Sequence, residues 1–379
     1  MISDVYFPRV NGVSTSIATF RRALAAHGVE ARLLVPRYGS EPDADGVVRI
    51  RGRRLPFDPE DRLVERRAMH RAARVEAARC DLVHIQTPFL AHYAGLAAAR
   101  AAGRPALLTY HTLFEEYLQH YAPCMPATVL RGLARRLSRT QCNAVDTVVV
   151  PSTAMRDRLA TYGVDTPMEV LPTGIPVQDF AHGDGAHFRR LYDIPERAPM
   201  ALYIGRVAHE KNIGFLLEVA ARLRAHRPDF VLVIAGEGPA TRSLQRHADR
   251  LALGRAVRFV GYLERRKRLP DCYAAADVFT FASRTETQGL VLLEAMAAGL
   301  PVVALAAMGT TDILHAQRGA RIAPDEPAAF AAVVDQVLGD DAQRTLLAQA
   351  ARHHAAEWSD TRMAARLAAL YRLRLDGGR

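Results

Sequence analysis

Residues 278 to 304 read VFTFASRTETQGLVLLEAMAAGLPVVA, and this stretch decides how the chain folds. Val278 to Phe281 is a short β-branched and aromatic run bounded by polar residues, the signature of a strand. Leu290 to Ala298 is apolar apart from Glu294 and free of Gly and Pro, and Gly299-Leu300-Pro301 stops it before a second short run, Val302 to Ala304. A strand, a helix and a strand in that spacing form one unit of a parallel sheet covered by helices.

The same alternation runs from end to end. In the first half it predicts strands at Ile2 to Phe7, Ala31 to Val35, Leu82 to Ile85, Ala106 to Thr109, Thr147 to Val150 and Glu169 to Leu171, with helices beginning near Ser14, Pro59, His92, Pro126 and Thr153. In the second half the strands fall at Ala201 to Ile204, Phe230 to Ala235, Val257 to Val260, Val278 to Phe281, Val302 to Ala304 and Ala320 to Ile322. Gln178 to Ala186 is short, polar and Gly-rich and reads as a linker. An α/β chain of two Rossmann-like domains with parallel sheets follows, residues 1–182 and 183–357. The chain begins almost inside its first strand, which points to a short strand or to a native start upstream of Met1.

With 379 residues the chain is long enough for two cores, and 49% hydrophobic against 24% charged residues excludes a disordered or repeat architecture. The longest nearly apolar stretch, Ala295 to Met308, contains Gly299 and Pro301 and is too short to cross a bilayer. Four cysteines lack C-x-x-C spacing and no apolar leader precedes the chain, so a cytoplasmic location is expected. The net charge of +10 calls for an anionic partner. Arg49, Arg51, Arg53 and Arg54 lack the interleaved aromatic residues of a nucleic-acid site, so a non-catalytic basic protein is the weaker alternative and no nucleic acid is expected as partner.

In an open parallel sheet, ligands bind beyond the carboxyl ends of the strands. There the first domain carries Asn11-Gly12-Val13-Ser14, where Gly12 lets backbone amides approach an anion and Ser14 can cap a helix, and Tyr110-His111-Thr112 after the fourth strand. The second domain carries Gly205-Arg206 and Glu210-Lys211-Asn212. Lys211 is one of only two lysines, and both cations can reach one diphosphate. Glu286 and Glu294 would stand about 12 Å apart on a continuous helix, beyond the roughly 5 to 9.5 Å of a glycosidase carboxylate pair. They suit two ends of one elongated ligand. Asp43-Ala44-Asp45 spells D-x-D in a polar loop away from any strand end, and no metal site is expected.

These residues resemble family 4 glycosyltransferases of the GT-B fold, the retaining, nucleotide-sugar-dependent class, along essentially the whole chain. Glu286 and Glu294 match that family's two-glutamate motif, Arg206 and Lys211 its diphosphate pair, and Gly12 and His111 the glycine loop and histidine of its acceptor domain. The resemblance implies two facing domains with a cleft between them. It also implies that Glu286 holds sugar hydroxyls, Glu294 the ribose, and the amides of Gln288, Gly289 and Leu290 the sugar and phosphates. Base recognition would be by backbone near Gly261, Tyr262 and Leu263. Residues 358–379, opening with Trp358-Ser359, resemble the segment that crosses back to the first domain.

Gln288 stands where many members carry an aromatic residue. Thr285-Glu286-Thr287-Gln288-Gly289, with the string from Tyr110 to Tyr117, is similar to the branch that glycosylates diacylglycerol. The implied reaction transfers glucose from UDP-glucose to a hydroxyl acceptor, a membrane lipid or lipid-linked glycan, with no cofactor and no metal. A GDP-mannose-dependent mannosyltransferase is the alternative, and a UDP-sugar epimerase a lesser one. Thr128 to Thr140 adds an amphipathic helix whose Val129, Leu130, Leu133 and Leu137 share one face and whose Arg131, Arg135, Arg136 and Arg139 share the other. An anionic membrane surface is therefore an expected partner, with the protein peripheral on the inner face of the cytoplasmic membrane.

Overall fold

The computed structural model describes residues 1–42, 44–54, 62–111, 127–265 and 267–377. They divide into two units, Met1–Gly174 with Asp360–Arg379, and Ile175–Ser359.

In the first unit β1 (Leu33–Arg37), β2 (Val47–Arg54) and β3 (Arg62–Val64) form one ladder, and β4 (Val83–Ile85), β5 (Ala106–Thr109), β6 (Thr147–Val150) and β7 (Met168–Val170) another, in sequence order. All pairs are parallel except β2 with β3. The expected strand Ile2 to Phe7 is cut to a bridge between the two ladders, where Ile2 pairs in parallel with Leu34 and with Ile85. The reason is local: the Ser3 hydroxyl donates to the carbonyl of Val5 (2.7 Å) and accepts its amide (3.1 Å), turning the chain out of the ladder.

β2 and β3 were not expected, because Arg49, Arg51, Arg53 and Arg54 mask the alternation of a strand. Arg49 is part of the structure, donating to the carbonyls of Phe7 and Pro36 (both 3.1 Å) and lying 5.8 Å from the Tyr6 ring centroid. Residues 55–61, including the helix expected at Pro59, lie outside the described residues, and the next helix is Arg66–Ala77.

The helix Asp360–Asp376 packs on the helix Gly12–Leu24 through Met363, Leu367 and Tyr371. Tyr371 Oη meets His84 Nδ1 at 2.6 Å, and the other ring nitrogen meets Thr109 Oγ1 at 2.7 Å. Burial holds that imidazole well below the ordinary histidine range, so it is neutral.

The second unit is a single six-stranded sheet of β8 (Met200–Ile204), β9 (Val231–Ala235), β10 (Val257–Gly261), β11 (Val278–Phe281), β12 (Val302–Ala304) and β13 (Ala320–Ile322), in the order β10-β9-β8-β11-β12-β13. Every pair is parallel. β8, β9 and β11 are buried along their whole length, as strands covered on both faces are. The strand order reverses direction between β8 and β11, which makes their carboxyl ends the switch point of the sheet.

Two boundaries differ from the reading above. Ile175 and Phe180 are buried in the core of the second unit, so residues 175–182 belong there and not to the first domain. The stretch read as a linker is structured, with a 3-10 turn at Val177–Phe180 and a helix at Gly185–Leu191 whose Asp184 caps the amide of His187. Trp358 also stays with the second unit, its carbonyl accepting the amide of Ile175 (3.0 Å), and the returning helix starts at Asp360.

Candidate active site

Beyond the carboxyl ends of β8, β9 and β10 three loops are stitched edge to edge by their backbones. Gly205 donates its amide to Ala235 (3.0 Å), Gly236 to Gly261 (2.8 Å) and Val207 to the carbonyl of Glu237 (2.9 Å). A Cβ on Gly236 would overlap the Gly205 carbonyl oxygen, and Gly236 has φ +133°, so only glycine allows this approach. The loop after β8 then presents Arg206, whose side chain is exposed and makes no ion pair among the described residues. Five residues on, Lys211 closes a 3-10 turn at His209–Lys211.

Lys211 Nζ donates to Glu286 Oε1 at 2.5 Å, with both side chains one-fifth exposed. The structure thus brings together one member of the diphosphate pair and one member of the two-glutamate motif, from the ends of β8 and β11. The carboxylate loop is fixed from behind. Gly309 donates its amide to the Glu286 carbonyl (2.9 Å), and a Cβ at Gly309 would overlap the carbonyl of Thr287.

Gly289, at φ +96°, is the N-cap of the helix Leu290–Ala297. Gln288 and Gly289 are buried and Leu290 is half-buried, with the helix N-terminus and its partial positive charge beside Glu286 in the chain. Glu286 precedes the helix, whereas Glu294 lies inside it. Glu294 is buried and does not share a partner with Glu286: Oε1 accepts Arg265 Nη2 at 2.5 Å and Oε2 accepts the Tyr273 hydroxyl at 3.0 Å. Burial pushes the Tyr273 phenol well above its usual range, and the Glu294 charge pushes the same way, so it remains a donor. Neither Arg265 nor Tyr273 was found in the sequence. Arg265 opens a basic run, Arg265-Arg266-Lys267-Arg268, that has the look of a solvated surface, and Tyr273 that of an ordinary core residue.

In the first unit, Asn11 and not Ser14 caps the helix Gly12–Leu24, Asn11 Oδ1 accepting the amide of Ser14 (2.8 Å). A Cβ on Gly12 would meet nothing within 4 Å, so packing of the described residues does not demand glycine there. His111 Nε2 lies 3.0 Å from Gln86 Oε1. Burial lowers the His111 pKa to about 4, leaving a neutral ring that suits hydrogen bonding. Next to Gln86, Thr87 joins Asp4, whose carboxylate accepts the amide of Ala91 near the start of the helix Leu90–Ala102 (3.0 and 3.1 Å).

Asp43 and residues 112–126 lie outside the described residues, and with them the D-x-D and most of the Tyr110 to Tyr117 string. The amphipathic stretch is the helix Ala127–Cys142. Its expected apolar face divides: Leu130 is buried and Leu137 half-buried, while Val129 and Leu133 are exposed, and Ala134 and Ser138, outside that face, are buried with Leu130. The helix is anchored through Ser138, which meets the Tyr110 hydroxyl at 2.7 Å, so its inner face is one residue-stripe away from the expected one. Arg131, Arg135, Arg136 and Arg139 are all exposed, with the Arg135 guanidinium 5.5 Å from the Tyr162 ring centroid.

Residues 10–179 match the family described as Glycosyltransferase Family 4, and residues 186–354 that described as Glycosyl transferases group 1. Alpha-monoglucosyldiacylglycerol synthase of Streptococcus pneumoniae is 31% identical over 314 residues, covering 80% of this chain and 70% of the relative. The chain belongs to glycosyltransferase family 4. A second relative of the family, GDP-mannose-dependent alpha-mannosyltransferase of Mycobacterium tuberculosis, is 30% identical over 336 residues, with 86% and 83% covered. Among solved structures, Anabaena HepE in complex with UDP and glucose matches with a TM-score of 0.76 at 17% identity, over 97% of this chain and 98% of that one. Sucrose-phosphate synthase from Thermosynechococcus elongatus matches at 0.77 and 22%, over 97% and 94%. The fold is therefore GT-B, and the protein is a nucleotide-sugar-dependent hexosyltransferase of that family. Among the described residues no helix is long and apolar enough to cross a membrane.

Proposed function

We propose that this glycosyltransferase moves glucose from UDP-glucose to a hydroxyl of a diacylglycerol-type membrane lipid, with retention at the anomeric carbon. The observation that carries the donor half is the Lys211–Glu286 pair at the switch point. It sets a cation for a diphosphate beside a carboxylate for sugar hydroxyls. Arg206 and Lys211 neutralise the departing diphosphate, the work a divalent metal would otherwise do, and Glu286 orients the hexose. The amides of Gln288, Gly289 and Leu290 add hydrogen bonds at a helix N-terminus. Glu294 accepts the ribose hydroxyls. The departing phosphate takes the acceptor proton as the hydroxyl attacks on the same face, while neutral His111 positions the sugar and Gly12 leaves the backbone open to it.

The acceptor half is supported by the Streptococcus pneumoniae relative named for monoglucosyldiacylglycerol, and by the exposed Val129 and Leu133 among Arg131, Arg135, Arg136 and Arg139. A lipid acceptor is reached only at a bilayer, so the protein would act as a peripheral enzyme on an anionic leaflet of the cytoplasmic membrane. The test is turnover of UDP-glucose and of GDP-mannose with diacylglycerol in phosphatidylglycerol vesicles, in the presence of EDTA, after a thermal-shift comparison of UDP, GDP, ADP and TDP. Glucosyl-diacylglycerol formed in EDTA is expected. Mannose transfer alone would move the assignment to the mannosyltransferase reading, and loss of activity in EDTA with rescue by magnesium would end the metal-free mechanism.

A further inference from the structure

A carboxylate inside an apolar helix is costly unless it is paired, and Glu294 is 2% exposed. Its surroundings show how that cost is met. Arg265 and Tyr273 each take one acceptor position, on opposite oxygens. A carboxylate has about four such positions, so about two are left, one on each oxygen. That number fits the two hydroxyls of a ribose.

Arg265 is itself held in place. Its guanidinium lies 5.2 Å from the ring centroid of buried Phe180, and the Phe180 and Tyr273 rings meet edge to face at 5.7 Å. Burial alone would lower the Arg265 pKa, but Glu294, then Tyr273 and Asp179, outweigh it, so the group stays cationic. The residue also lies two positions beyond Leu263, in the loop that leaves β10 at Gly261. One guanidinium thus ties that loop to the buried glutamate of the Leu290–Ala297 helix.

We propose that Arg265, with Tyr273, is the positioning residue that fixes the Glu294 carboxylate to accept a ribose 2′,3′-diol, and so sets the preference of this enzyme for a ribonucleotide over a deoxyribonucleotide donor. The proposal rests on the reading of Glu294 as the ribose ligand. Without the guanidinium the carboxylate is free to turn or to take up a proton, and the hydroxyl contacts are lost. Contacts to the diphosphate, made by Arg206 and Lys211, are untouched.

The test is calorimetric binding of UDP against 2′-deoxy-UDP, and of GDP against 2′-deoxy-GDP, to the full chain. The ratio is read on whichever base binds, so a wrong base does not disturb it. Wild type is expected to prefer the ribose form by about tenfold or more, the loss expected for a hydrogen bond to a charged group. Arg265→Met should bring the ratio down to about twofold by weakening the ribose form while leaving the deoxy form within about twofold of wild type. Arg265→Lys, which keeps the charge without the planar fork, should fall between. A general structural defect would weaken both nucleotides together. An Arg265→Met protein that keeps the wild-type ratio overturns the proposal. If that variant does not fold by circular dichroism, Arg265→Lys and Tyr273→Phe decide it, and wild-type ratios in both overturn it. An unchanged ratio in Glu294→Gln would instead remove the ribose reading of Glu294 itself, a separate failure.

Discussion

Asp4→Asn should stabilise the first unit at neutral pH, against the usual expectation for removing a well hydrogen-bonded carboxylate. Burial raises the Asp4 pKa from 3.8 to about 6, and the hydrogen bonds from Thr87 and Ala91 only partly offset it. A carboxyl whose folded pKa is raised binds its proton more tightly when folded. The folded state therefore loses ground as pH climbs from about 4 to about 6, and above that the whole cost is present. The shift is about two units, or about 3 kcal/mol at about 1.36 kcal/mol per unit. Asparagine keeps the acceptor for the Ala91 amide and offers Thr87 a donor in place of an acceptor, so a gain of about 1 to 3 kcal/mol is expected at pH 8 and none near pH 4.

Urea unfolding by far-ultraviolet circular dichroism at pH 4, 6 and 8 measures it. Trp358, the single tryptophan, belongs to the second unit and reports that unit separately by fluorescence. Other buried groups with shifted pKa values, among them His84 and His111, are common to both proteins and cancel in the difference. Equal or lower stability of the variant at pH 8, or a gain that persists at pH 4, would refute the reasoning.

Lys211→Ala should lower kcat/KM for the donor by roughly 10- to 150-fold, the worth of a charge-assisted contact of about 1.5 to 3 kcal/mol, with an unchanged circular dichroism spectrum. Steady-state kinetics within threefold of wild type would take Lys211 out of the donor site. Changing Arg131, Arg135, Arg136 and Arg139 together to Gln should weaken co-sedimentation with phosphatidylglycerol vesicles and leave the little binding to neutral vesicles as it was. At about 1 kcal/mol per arginine the loss is measurable at low salt and vanishes at high salt. Equal partitioning of the two proteins would remove this helix from the membrane surface and leave the transferase assignment standing.

The sequence carried most of the second unit because its strands are buried on both faces, and a run such as Val231–Ala235 needs no partner to be read. The first unit was less legible where polar groups override the pattern. Ser3 turns the first strand away after the two bridges of Ile2, and the arginines of β2 hide a strand whose residues are at most half-buried. The apolar stripe of the Ala127–Cys142 helix was misplaced for a related reason: periodicity gives an average face, while the buried face is set by small residues, Ala134 and Ser138, that carry little hydrophobic signal. In the site, Arg206, Lys211, Glu286 and Glu294 stood out as charges at strand ends or inside an apolar run. Arg265 and Tyr273 there, and Gln86 and Asp4 in the first unit, did not, since what marks them is a partner far away in the sequence.

The helix Asp360–Asp376 completes the core of the first unit, with Tyr371 closing over His84. On a translating ribosome this reverses the order of events. Residues 1–174 emerge first, yet the helix that seals them is made only after the 185 residues of Ile175–Ser359. At about 5 to 20 residues per second that delay is roughly ten to forty seconds. During it Phe20, Leu24 and Leu107 lack their cover, while the second unit, contiguous in the chain, has everything it needs to fold. The half of the enzyme that is synthesised first is thus the half whose core is closed last.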